Sequence, residues 1–295
     1  MLWGEIFFYS VALKLLSVAF HLQSFDIKSL LLTMIPILHK EYWFTSIYVV
    51  LFLLVPVLNS AIHKMTKEKM QICIFVLVFI FSIIPTLIRP FLAEVFFVND
   101  GYSLDWFIIL YFVGAYLRLY VDPEKSVKYY FNFYLLFTAI TFTSKFLIEL
   151  VNTYILKTDK SIWNLYQYNS LTVLLAAVFL FLAFTKLNIK ENRFAEKVIL
   201  LLSPCSLAVY LIHLNANWRT WLWDVVVNSS QYYDKVYFIP YIIGSVIAVF
   251  AVCCVIDLFR QYIFKIFDTK KFRDKCSSFQ NKLFKMSIFA VKKVK

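Results

Sequence analysis

Glycine is scarce in this 295-residue chain, with four in all, and charged residues make up only 16%. A soluble domain carries about 25% charged and roughly 45–50% apolar residues. Here 61% of the residues are hydrophobic and 20% are aromatic. The shortage of charge excludes an ordinary cytosolic enzyme, and the apolar excess excludes a disordered chain. The five cysteines (Cys73, Cys205, Cys253, Cys254 and Cys276) are odd in number, form no C-x-x-C pair and lie in apolar runs or in the C-terminal tail. That pattern argues against a disulfide framework and a zinc site, and small buried hydrophobes are the expected role. There is no Gly-rich phosphate loop, no G-x-S-x-G elbow, no internal repeat and no separate soluble domain. The opening MLWGEIF lacks the basic region of a signal peptide.

What the chain has instead is long apolar runs, such as 71–88 (QICIFVLVFIFSIIPTLI) and 239–256 (IPYIIGSVIAVFAVCCVI). Each is close to the roughly 20 residues that carry a helix across about 30 Å of hydrocarbon. The runs predict an all-α polytopic membrane protein with about eight transmembrane helices, at 3–21, 42–61, 70–89, 104–120, 129–150, 170–185, 197–214 and 238–259. The stretch 29–38 (SLLLTMIPIL) is too short to cross and is expected to be interfacial or re-entrant.

The net charge of +12 is explained by its placement, without nucleic acid. Lys64, Lys67 and Lys69 follow the second span; Arg118, Lys125 and Lys128 follow the fourth; Lys186, Lys190, Arg193 and Lys197 follow the sixth. With the tail from Arg260 to Lys295, that side holds 21 basic residues against seven on the other (Lys28, Lys40, Arg89, Lys157, Lys160, Arg219 and Lys235). The positive-inside rule then places both termini in the cytoplasm and turns the longer loops 22–41, 90–103, 151–169 and 215–237 outward. The expected organisation is a transmembrane domain over 1–260 and a basic amphipathic cytoplasmic tail over 261–295. The tail either lies along the anionic inner leaflet or is simply solvated.

Polar residues inside apolar spans usually face a bundle interior or a wet cavity. Three spans carry them at helical spacing: Ser10, Lys14, Ser17 and His21 on the first, Thr138, Thr141, Lys145 and Glu149 on the fifth, and Ser206, Tyr210, His213 and Asn217 on the seventh. Interhelical hydrogen bonds, worth about 0.6 kcal/mol each, suffice for any single Ser or Thr. Three stripes that between them carry Lys, His and Glu point instead to a shared polar cavity. His21, Glu149 and His213 fall near the outer ends of their spans, and the next outer loop adds Trp218, Arg219, Trp221, Trp223 and Asp224. The tryptophans fit an interfacial belt. They also fit a vestibule for a sugar, whose ring face stacks on aromatics while its hydroxyls find polar partners. A histidine there can take a proton from such a hydroxyl, or it can be structural.

Several segments resemble the acyltransferase-3 family of bacterial membrane O-acyltransferases. They are 42–59 (YWFTSIYVVLFLLVPVLN), through Trp43, Tyr48, Pro56 and Asn59; 106–119 (WFIILYFVGAYLRL), through Trp106, Tyr111, Tyr116 and Arg118; and 168–170 (YNS). The fullest match is 206–223 (SLAVYLIHLNANWRTWLW), through Ser206, Tyr210, His213, Asn215, Arg219 and Trp223. The resemblance implies about ten spans with cytoplasmic ends. It also implies transfer of an acyl group, commonly acetyl from acetyl-CoA, to a carbohydrate hydroxyl outside the cell. The donor is acetyl-CoA or another acyl-CoA, and no bound cofactor or metal is expected. The partners are membrane lipid and a carbohydrate acceptor, not nucleic acid, and the location is the bacterial cell membrane.

Two departures stand out. The family's proposed catalytic histidine lies in a first span, with a basic residue about ten positions before it. No counterpart is recognised here, so the chain reads as starting at the family's third span and the catalytic residue is left unassigned. Position 214 is Leu where relatives often carry an acid. The expected site-lining residues are His213, Tyr210, Asn215, Arg219, Trp43, Lys145 and Glu149. Two other readings are open: an incomplete or accessory relative without catalysis, and a transporter or flippase using the stripes as its path. Pro56, Pro85 and Pro204 interrupt spans as transporter helices do, but no paired halves accompany them.

Overall fold

The structure is a computed structural model that describes residues 2–36, 42–88, 99–157, 165–188 and 193–267. Every regular element among them is helical: α1 (Leu2–Ala19), α2 (Ile27–Thr33), α3 (Trp43–His63), α4 (Lys67–Val78), α5 (Ile84–Ile88), α6 (Leu104–Tyr120), α7 (Val127–Leu150), α8 (Leu171–Thr185), α9 (Arg193–Leu202), α10 (Ser206–His213) and α11 (Phe238–Phe267). Helix forms at each of the eight expected span positions. Five stretches are long and apolar enough to cross a membrane: Trp43–His63, Lys67–Ile88, Val127–Ile155, Arg193–His213 and Phe238–Lys265. α8 is apolar but has only 15 residues, about 22 Å of helix. The absence of polar groups in lipid explains the all-helical outcome, since a helix satisfies its backbone within one segment.

Several boundaries differ from the sequence expectation. α1 stops at Ala19, so His21 is not on its helical face. α10 stops at His213, and Asn217 lies in the turn beyond it. The short stretch after the first span forms α2, capped by the Asp26 carboxylate, which accepts from the backbone N–H groups of Lys28 and Ser29. The rest of that stretch, from 37 on, lies outside the described residues. α11 continues without a break through the boundary drawn at 260 and reaches Phe267; the tail from 268 lies outside the described residues. Cys205, Cys253 and Cys254 are buried and Cys73 is half-buried, all as free thiols.

The chain divides into two compact units, one from Met1–Ser46 and Glu191–Lys295 and the other from Ile47–Lys190. In the second unit, Ile62, Met70 and Phe112 form one core, and Trp106, Ile109 and Leu174 another. Phe133 and Phe137 of α7 stack on Phe179 of α8. Polar pairs set the register: Tyr111 donates to Asn59 Oδ1 at 2.7 Å, and Gln71 donates to the Tyr116 hydroxyl at 2.6 Å. The π-helical turn Phe79–Ile83 joins α4 to α5, and the Asn169 amide donates to the Phe81 carbonyl there at 3.0 Å. Such turns free carbonyls from the regular ladder, and a side chain takes up one of them here.

In the first unit, α1 packs against α10, and α10 against α11. The core is Ile6, Tyr9, Leu13, Tyr42, Ala208 and Leu211. Ser10 and Ser17 of the first stripe are fully buried, and Lys14 is 7% exposed. The predicted inward face of α1 therefore exists, up to its last turn.

Candidate functional site

α1 ends in a left-handed turn. His21 has φ +57°, its N–H donates to the Val18 carbonyl at 3.0 Å, and the Leu22 N–H donates to the Ser17 carbonyl at 2.8 Å. These two bonds define a Schellman ending with His21 at the position that glycine normally takes. A side chain in that conformation costs roughly 1–2 kcal/mol. Strain of this kind at a non-glycine residue points from the outlier to a function.

The turn folds Gln23 back onto α1. Lys14 Nζ donates to Gln23 Oε1, and Gln23 Nε2 donates in turn to Asn217 Oδ1. The Asn217 N–H donates to Asn215 Oδ1 at 3.1 Å, Asn215 Nδ2 donates to the Tyr42 hydroxyl at 2.7 Å, and that hydroxyl donates to the Leu211 carbonyl at 3.1 Å. One continuous polar chain thus runs from Lys14 on α1 to the end of α10. The Trp218 indole N–H donates to the Leu13 carbonyl at 2.9 Å, and Trp218 meets Phe20 and Trp221 edge-on. Trp218, expected in a belt or a vestibule, thus also anchors the segment after α10 to α1.

The expected site residues divide between the units. Asn215 is fully buried within the polar chain. Tyr210 packs beside Tyr42 and Phe44. His213 places Nδ1 against the Val209 carbonyl of its own helix and its ring edge-on to Trp223. An Nδ1–H donated to a carbonyl leaves Nε2 as the free acceptor. Arg219 is exposed, and its backbone N–H donates to the Asn215 carbonyl at 2.8 Å. Trp43 is half-buried against Phe44. Lys145 and Glu149 belong to the other unit, where they pair at 3.6 Å with side chains 47% and 56% exposed, and Lys145 lies over the Tyr166 ring. A pair that open is worth little by itself.

A second cluster in the first unit went unnoticed in the sequence. Asp257, fully buried, accepts from Tyr9 at 2.7 Å, Arg260 at 2.6 Å and Gln261 at 2.7 Å. Arg260 also faces Glu5 at 3.3 Å and lies beside the Tyr9 and Phe264 rings. The signal was present: an acid within an apolar run, followed three residues later by Arg260, is a pair on one helix face. Among the described residues, no group of three or more His, Cys, Asp or Glu is placed to hold a metal.

The acyltransferase-3 family model, described as an acyltransferase domain, matches residues 5–258. The chain belongs to the acyltransferase-3 family. Compared with curated proteins and with solved structures, it finds no significant match. The family match reaches well beyond the motif region 42–223. It takes in nearly all of α1, with Lys14, the turn at His21 that follows it, and most of α11, with Asp257. Of the residues that carried the resemblance, Asn59 and Tyr111 bond to each other, Trp106 is a core residue, and Tyr210, His213 and Asn215 surround the end of α10. The chain is accordingly a multi-pass membrane acyltransferase by family and composition.

Proposed function

We propose that this acyltransferase moves an acetyl or other acyl group from acyl-CoA to a hydroxyl of a cell-surface polysaccharide or lipid-linked sugar. The reaction takes place at the polar chain between Lys14 and Tyr42 in the first unit. Eight spans with both termini in the cytoplasm turn that chain outward, in the membrane of a bacterial cell. The observation that carries the reading is His21: a histidine held in a strained left-handed turn, within the residues that match the family.

His21 takes the role that the resemblance reserves for a histidine on the family's first span. Its basic companion is displaced, since Lys14 precedes it by seven positions rather than about ten. The neutral imidazole accepts the proton of the attacking hydroxyl, the oxygen adds to the thioester carbon, and the proton passes to the departing thiolate. Gln23 and Asn217 offer amides to sugar hydroxyls, Asn215 holds Asn217 from beneath, and Trp218, Trp221 and Trp223 offer ring faces. His213, with Nε2 free, accepts a hydrogen bond from the acceptor.

Membranes expressing the chain, given radiolabelled acetyl-CoA and cell-envelope glycan, test the reading. Label in the glycan, lost with His21→Ala, is expected. No label with the wild-type chain, or equal label with His21→Ala, contradicts it, and the accessory and transporter readings then return.

A further inference from the structure

We propose that the outer end of α7 carries a second carbohydrate site, formed by Lys145, Glu149, Asn152 and Tyr166, for uncharged sugar residues of the acceptor away from its reacting hydroxyl. The inference rests on the acyl-transfer reading above and concerns the second unit alone. Lys145, Glu149 and Asn152 fall at i, i+4 and i+7, one face of α7 and of the π-helical turn Val151–Leu156 that extends it. Lys145 Nζ stands 3.6 Å from Glu149 Oε1 and 4.8 Å from the centre of the Tyr166 ring. With both termini in the cytoplasm, as proposed above, this end of α7 faces outward, the side from which a glycan arrives.

An ion pair this open adds only about 0–1 kcal/mol to stability. What it presents to solvent is a set of ammonium donors and carboxylate acceptors beside an exposed aromatic ring. A sugar uses that combination: its C–H face packs on the ring, while neighbouring hydroxyls donate to the carboxylate and accept from the ammonium. Glu149 already meets the charge of Lys145, so the patch is neutral and suits an uncharged sugar better than an anionic headgroup. On the same face Asn152 is 7% exposed, and its Nδ2 has no hydrogen-bond partner among the described residues. A buried amide donor left unpaired is costly, and a sugar oxygen is an acceptor that completes it.

The aromatic side of the patch is braced, which membership of an interfacial belt does not require. Asn99, Asp100 and Gly101 are three successive left-handed residues, with φ +43°, +58° and +89°. That turn packs so closely that a Cβ on Gly101 would come within 2.7 Å of Tyr168 Cβ and 2.8 Å of the Asn169 nitrogen. Tyr102 meets Tyr168 edge-on at 4.7 Å. Asn169 Nδ2 donates to the Phe81 carbonyl and the Thr172 hydroxyl to the Leu165 carbonyl, both at 3.0 Å. Tyr166 and Tyr168, each about half exposed, are thus held before a ligand arrives, so little ordering entropy is lost on binding. The backbone strain at Asn99 and Asp100 sits where this bracing is made.

Membranes expressing wild type, Tyr166→Ala or Glu149→Gln test the site, with envelope polysaccharide and a disaccharide cut from it as acceptors. Equilibrium binding of the labelled polysaccharide is the second readout. The preference for polysaccharide over disaccharide, as a ratio of kcat/KM, is expected to fall about 10-fold in both variants, with polysaccharide binding weakened by a similar factor. Glu149→Gln keeps the side chain's shape and carries the comparison where Tyr166→Ala fails to accumulate. An unchanged ratio, or a loss that follows the phospholipid headgroups of the membrane instead of the acceptor, overturns the site. Polysaccharide binding that weakens in the variants, without transfer by the wild type, supports the site and overturns the acyl-transfer reading. Neither transfer nor binding by the wild type overturns both.

Discussion

Tyr9 donates its hydroxyl to Oδ1 of Asp257 at 2.7 Å, a bond that ties the first half of α1 to the last third of α11. Arg260 and Gln261 complete the carboxylate, and Arg260 extends the cluster to Glu5. Arg260→Met leaves the buried Asp257 and the partly buried Glu5 without their cation and is expected to lower stability by about 3 kcal/mol. Asp257→Asn leaves Arg260 with Glu5 and is expected to cost less. Unfolding in mixed micelles checks the order; equal stability of both variants and the wild type contradicts a coupled cluster.

The Tyr42 hydroxyl is the last side chain of the polar chain that starts at Lys14, and it accepts from the buried Asn215 amide. Tyr42→Phe removes that hydrogen bond, a loss of about 0.5–1.5 kcal/mol. Acetyl transfer is expected to fall through a raised KM for the glycan, since Asn215 holds Asn217, which contacts the acceptor in the proposed site. Unchanged stability and unchanged KM in Tyr42→Phe contradict that role.

Native cysteines test the orientation. Cys205, Cys253 and Cys254 are buried, whereas Cys276 follows α11 in the basic tail. A membrane-impermeant thiol reagent is expected to leave intact cells unlabelled and to label Cys276 once the membrane is opened. Labelling of Cys276 in intact cells contradicts cytoplasmic ends.

The helices were legible because lipid leaves few alternatives: apolar runs of sufficient length can satisfy their backbone only as helix. Ser10, Lys14 and Ser17 were legible as a buried face through their spacing. His21 and Asn217 were assigned to helix faces that end before them, because nothing local in the sequence marks a turn there: the glycine that usually ends a helix is replaced by histidine. Lys145 and Glu149 do pair as their spacing suggests, but spacing carries no information on exposure. Glu5 and Tyr9 were missed because they lie far along the chain from Asp257, and the Asp257–Arg260 pair because Arg260 was counted with the charges of the tail. Gln23 was missed for a related reason: only the turn at His21 brings it to Lys14.

Replacing His21 by glycine separates catalysis from structure more cleanly than any other substitution. Glycine suits the left-handed turn, so His21→Gly is expected to leave stability unchanged or raise it by up to about 1 kcal/mol. The decisive measurement is radiolabelled acetyl transfer to envelope glycan by membranes holding equal amounts of wild-type and His21→Gly chain. Acylated glycan from the wild type and none from His21→Gly is the predicted result. Transfer by His21→Gly at the wild-type rate would contradict the account.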